Sequence, residues 1–133
     1  MNYSLDAGPI IAYLDNEPGA DKVEAILTEA GSVCYAHVIN LSEVYYIYYW
    51  RGGVTTAEKA MKAMLDVGVI FRDDGDTAFW KEAASFKGRY PMALPDGFCL
   101  TLARRLAGTA VTTDHAEFDA LVPLGYCPIF FIR

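Results

Sequence analysis

At 133 residues the chain has the length of one domain, enough to bury a core without disulfides or a structural metal. Hydrophobic residues make up 53% and charged residues 21%, which excludes an extended disordered chain, and no uncharged run reaches the roughly 18 residues of a membrane span. A formal net charge of −6 argues against a nucleic-acid binder that works by neutralising phosphates, unless bound cations reverse the sign locally.

Cys34, Cys99 and Cys127 form no CxxC pair and have no His at ligand spacing, so they read as reduced thiols. The first residues carry no basic run followed by an apolar stretch and a small-residue cleavage site. A soluble, cytoplasmic protein is expected.

Residues 2–9 read as a short buried strand that ends on a carboxylate, Asp6, and turns at once towards a helix; Pro9 suits a first helical turn in the piece 9–14. Residues 16–19 break the chain. Ala20, Val23, Ile26 and Leu27 then mark an amphipathic helix over 20–30, stopped by Gly31. A second strand covers 33–38. Asn40 and Glu43 have the N-x-x-E spacing of a capping box, which makes Asn40 the expected N-cap and puts Glu43 in the first turn. The aromatic run 44–50 favours strands by residue type and a helix by its place after a cap; we assign it to a helix. It shows no polar face, so the core is expected on one side and a partner chain on the other.

Gly52 and Gly53 mark a turn, and Thr55-x-x-Glu58 opens a helix with Ala57, Ala60, Met61, Met64 and Leu65 on its buried side. A third strand spans 69–72, and the acids of the turn Asp73, Asp74, Gly75 are expected in solvent. Phe79, Trp80, Ala83 and Phe86 share one face of the next helix, residues 90–94 form a loop, and 96–107 are helical up to Gly108. A fourth strand at 110–113 leads into Asp114-x-x-Glu117, a capping box for a short helix through Leu121, and a last strand covers 129–132. Alternating strands and helices predict a single α/β domain over 1–133, with a parallel sheet covered on both faces.

In such a sheet the strand ends and the starts of the following helices share one edge, where ligands bind. Asp6, Glu43, Asp96 and Asp114 all occupy such places. Each alone is explained by capping or by the helix dipole, although Asp6, squeezed between an apolar strand and a small-residue turn, has to face a crevice or a partner. If the four meet, they repel one another, and no run of Lys or Arg lies beside them. A cation resolves the repulsion. Oxygen donors without His or Cys suit Mg²⁺ or Mn²⁺ rather than Zn²⁺, and carboxylate-held ions of this kind hydrolyse phosphodiesters.

The carriers of a family resemblance are now in view: Leu5, Asp6 and Ala7; Leu41, Ser42, Glu43 and Val44; Pro95, Asp96 and Gly97 within 94–103; and Thr112, Thr113 and Asp114 followed by Glu117 and Phe118. On these the chain resembles, over its full length, PIN-domain ribonucleases of the VapC-like toxin type. The resemblance implies a three-layer PIN-like fold with a five-stranded parallel sheet in the order 3-2-1-4-5. It implies Mg²⁺-dependent endonucleolytic cleavage of structured RNA of the tRNA or rRNA class, with Mn²⁺ as a substitute. It also implies a small cognate antitoxin and a homodimer. Carried over residue by residue, Asp6, Glu43 and Asp96 are core catalytic and metal ligands, Asp114 is the fourth, and Thr112 is a hydroxyl near metal or phosphate. Glu117 and Asp119 stand close enough in sequence to be extra or alternative ligands, whereas His115 reads as a surface residue. Two positions depart from the family pattern: Ala7, where Ser or Thr is frequent, and Gly97, where Ala is usual.

Lys87, Arg89, Arg104 and Arg105 flank Asp96 in sequence and are candidates for RNA phosphate contacts, a pattern that solvated helix faces also produce. A receiver-type signalling domain needs a second acid beside Asp6 and a late Lys, where Cys127 and Pro128 stand instead. A phosphatase with a DxD nucleophile fails at Gly8. The remaining alternative is a PIN-fold binding or processing-complex subunit with little nuclease activity of its own.

Overall fold

The structure, a computed structural model, describes residues 1–133. Five strands, β1 (Asn2–Leu5), β2 (Val33–His37), β3 (Ile70–Arg72), β4 (Thr109–Thr112) and β5 (Ile129–Phe131), form one parallel sheet in the order β3-β2-β1-β4-β5. The connections carry α1 (Ala7–Asp15), α2 (Ala20–Thr28), α3 (Val38–Asp66), α4 (Thr77–Arg89), α5 (Leu94–Arg105) and α6 (His115–Phe118), with a 3₁₀ turn over Asp119–Leu124. This is the strand order that the resemblance implies.

Side chains alternate across the central strands as the pleat requires. Tyr3, Leu5 and Val111 join Ile10, Val23, Val44 and Met64 in a core under α1, α2 and α3. Ala110 faces the other way, into a second core with Phe86, Leu100, Phe118 and Leu121. Ser4, between Tyr3 and Leu5, also faces this side, and its hydroxyl donates to Cys99 O at 2.9 Å. Both faces of the sheet are therefore covered, and the free edge is the one where strands end and helices begin. No helix is long and apolar enough to cross a membrane.

Several local expectations are corrected. The cap of α3 is His37, not Asn40: Nδ1 of His37 accepts from Ile39 N–H at 3.1 Å, and its Nε2–H donates to Asp74 O at 2.7 Å. Both bonds need the neutral ring, and burial lowers the His37 pKa in the same sense. Asn40 consequently lies inside the helix, and Glu43 follows in its second turn. As expected, Gly52 and Gly53 leave helical geometry and divide α3 into two helical pieces across a kink, with Gly53 at φ 73°, a conformation open to glycine. α5 starts at Leu94, inside the expected loop, and the left-handed residue that closes it is Ala107 at φ 50°, not Gly108.

Leu65 and Trp80, expected on buried faces, are 53% and 47% exposed. Asp74, expected in solvent, lies between Arg72 at 2.8 Å and Arg105 at 3.1 Å; these guanidiniums, Arg72 foremost, hold its carboxyl down at about 2. The aromatic run is helical and two-sided: Val44 and Tyr48 are buried, whereas Tyr46, Tyr49 and Trp50 face outwards.

Candidate metal centre

β1 and β4 are neighbours although their sequence positions are far apart, and the crevice opens where they end. Asp6 continues β1 by one residue, its N–H bonded to Val111 O at 2.9 Å. Its side chain caps α1, with Oδ1 accepting from Ala7 N–H at 2.9 Å. Oδ1 also accepts from Asn40 Nδ2 at 3.2 Å, and Oδ2 from the Thr112 hydroxyl at 2.9 Å. A carboxylate has about four acceptor positions, so these three bonds leave one on Oδ2. Burial raises the Asp6 pKa against the opposing bonds from Thr112 and Ala7, with the charges of Asp114 and Glu117 adding to the rise.

Asp96 stands in the first turn of α5, just after Pro95, and is 7% exposed. Its carboxyl is pushed up to about 10, first by burial, then by a hydrogen bond with Glu117 and by the charges of Asp6, Glu117 and Asp114. Glu117 moves the opposite way because Asp96 donates to it and Ala93 N–H donates to its Oε2 at 2.9 Å. Asp114 caps α6, accepting from Glu117 N–H at 3.1 Å, and its own N–H bonds Thr112 Oγ1 at 3.1 Å. On α3 the pKa of Glu43 is raised by partial burial and by the charges of Asp6 and Glu117.

Asp96 and Asp114 thus meet in the crevice with Glu117, and Asp6 and Glu43 lie near enough for their charges to act on this group. Carboxylate oxygens of Asp96, Asp114 and Glu117 lie within 4.8 Å of one another. No Lys or Arg forms an ion pair with any of the five acids. An all-oxygen donor set in which burial and neighbouring carboxylates push the Asp96 carboxyl up fits a hard divalent ion.

Of the other sequence candidates, Thr112 is fully buried between Asp6 and the Asp114 N–H. Asp119 is exposed and bonded to His115 Nδ1 at 2.8 Å, while the His115 ring stacks on Phe131. Arg104 pairs with Glu82, Arg105 with Asp74 and Asp76, and Arg89 with Tyr126 and Ser85. Lys87 bonds Met92 O at 3.2 Å and, with Tyr90, Ala93 and Glu117, lines a hollow at the rim. Sequence reasoning saw in Asn40 only a cap and missed its contact with Asp6. The available signal was its place three residues before Glu43, which puts the two on one helical face.

Fold and site together define a parallel α/β protein with an acidic crevice at the point where the strand order reverses. The PIN-domain family model matches residues 3–121, and the chain belongs to that family. Among solved structures, VapBC-1 from nontypeable Haemophilus influenzae is similar with a TM-score of 0.72 at 17% identity, covering 99% of this chain and 98% of that one. VapBC2 from Rickettsia felis, bound to a DNA fragment from its promoter, gives 0.72 at 14% identity, covering 97% of each chain. The sarcin-ricin loop cleaving toxin VapC20 of Mycobacterium tuberculosis gives 0.69 at 16% identity, covering 90% of this chain and 94% of that one. At such identities the likeness is one of fold. No curated protein matches the chain.

Proposed function

We propose that this chain is a Mg²⁺-dependent endoribonuclease, with Mn²⁺ as a substitute, that cuts structured RNA of the tRNA or rRNA class and serves as the toxin of a toxin-antitoxin pair. The observation that carries the reading is the cluster of Asp96, Asp114 and Glu117, whose carboxylate oxygens lie within 4.8 Å of one another with no Lys or Arg ion-paired to them, and the charge of Asp6 acting on Asp96. Asp6, Glu43, Asp96, Asp114 and Glu117 would hold the ion, with Asp119 outside the set. When bound, such an ion makes water a nucleophile near neutral pH and stabilises the departing oxygen.

The chain's own groups prepare that site. Thr112 and Asn40 orient Asp6, and the Ala93 N–H holds Glu117 against the start of α5. Lys87, at the rim beside Glu117 and bonded only to Met92 O, is the best placed of the four basic candidates for an RNA phosphate; Arg89, Arg104 and Arg105 are tied to side-chain partners. The substrate class is supported by the likeness in fold to VapC20. A small antitoxin and a homodimer are supported by the VapBC complexes of the same fold and by the outward Tyr46, Tyr49 and Trp50 of α3. Three free thiols suit the cytoplasm.

The test is cleavage of a panel of structured RNAs by the purified protein with Mg²⁺, with chelator, and as Asp96→Asn. Cutting is expected only in the first case. Equal cutting in all three would overturn the metal reading, and no cutting of any RNA would favour the binding role.

A further inference from the structure

Asn40 is fully buried, one turn before Glu43 on α3. Both hydrogens of its amide are used: Nδ2 lies 3.0 Å from Pro95 O and 3.2 Å from Asp6 Oδ1. The backbone oxygen of Pro95 can only accept, which sets the orientation of the amide. The other end, Oδ1, is buried without a partner. An unpaired buried acceptor is destabilising, so the two donated bonds are what this residue supplies.

Those bonds join three elements that each carry a candidate ligand. Asp6 directly follows β1, Pro95 immediately precedes Asp96 on α5, and Asn40 shares α3 with Glu43. We propose that Asn40 is a positioning residue that sets the spacing of these carboxylates and so selects a small octahedral ion over a larger one. This rests on the metal reading above. Mg²⁺ demands oxygens at 2.0–2.1 Å in near-ideal octahedral geometry, whereas Ca²⁺ accepts 2.3–2.6 Å and variable coordination; a braced cage favours the first and a loosened cage loses the preference. Other side chains do not replace Asn here: ionised Asp turns an acceptor towards two acceptors, and Ser has a single donor for two oxygens.

The experiment measures Mg²⁺, Mn²⁺ and Ca²⁺ binding by calorimetry on the full chain, as wild type, Asn40→Ser and Asn40→Ala, without RNA. Thermal unfolding in chelator checks that each variant is folded. Loss of the brace should weaken Mg²⁺ and Mn²⁺ binding by about tenfold or more, in the range seen when groups that orient metal ligands are removed. Ca²⁺ binding should change much less. An equal loss for all three ions, or no loss, would overturn the assignment to Asn40 while leaving the metal reading intact. A wild type that binds none of the ions would overturn both.

A metal-free measurement stands beside these and does not depend on any variant folding. The Asn40 side-chain amide protons of the chelated wild type should exchange slowly with solvent. Rapid exchange would remove the brace without touching the metal reading.

Discussion

Gly97 on α5 lies against the backbone carbonyl oxygen of Ala83 on α4, so close that a Cβ on Gly97 would overlap it. The absence of a side chain there lets the two helices pack tightly, and Asp96 is the adjacent residue. Gly97→Ala should therefore cost about 1–3 kcal/mol, the usual scale for overpacking a tight interior. Denaturant unfolding would read the loss, and Mn²⁺ titration should show weaker binding as Asp96 is pushed off its place. Unchanged stability would mean that α4 and α5 can part freely.

The carboxyl of Asp96 titrates near 10 in the folded chain, far above the roughly 3.9 of an ordinary aspartate. Folded protein therefore binds more protons than unfolded protein over that interval, so metal-free stability falls as pH rises from about 4 towards 10. Asp6 and Glu43 shift in the same direction. In chelator, the melting temperature should be lower at pH 9 than at pH 6, and Asp96→Asn should flatten the slope.

The same proton has to leave when an ion enters. Mn²⁺ binding near neutral pH should release about one proton, seen as a binding enthalpy that varies with the ionisation heat of the buffer. Asp96→Asn should abolish the variation. A buffer-independent enthalpy would show that the cation does not compete with the Asp96 proton.

Asp74 works in the opposite sense. Arg72 and Arg105 hold it at about 2, so its stabilisation is complete above about pH 4 and disappears as pH falls towards 2. Asp74→Ala should cost about 1–2 kcal/mol at pH 6, since its arginine partners are partly exposed, and close to nothing at pH 2. Urea unfolding of both proteins across that range checks it.

The order of elements, and the approach of Asp96 to Asp114, were legible because apolar runs locate parallel strands, and parallel strands end on a common edge. The cap of α3 was not legible: the spacing of Asn40 and Glu43 satisfies a capping box, but His37 takes the role because Asp74 O, 37 residues away, fixes its tautomer. The break at Gly52 and Gly53 was legible, because a glycine pair admits the non-helical angles that divide α3 into two helical pieces. Glu117 and Asp119 were indistinguishable by distance along the chain. The short helix capped by Asp114 turns the first towards Asp96 and leaves the second with His115. Gly97 departs from the family pattern for a reason that lies in another helix, where no local reading could find it.

The hydroxyl of Thr112 that bonds Asp6 lies 106 residues further along the chain. Asp6 therefore gains the hydroxyl that orients it only once β4 has paired with β1, so the acidic crevice takes shape with the last pairing at the centre of the sheet and not with any local turn of the chain.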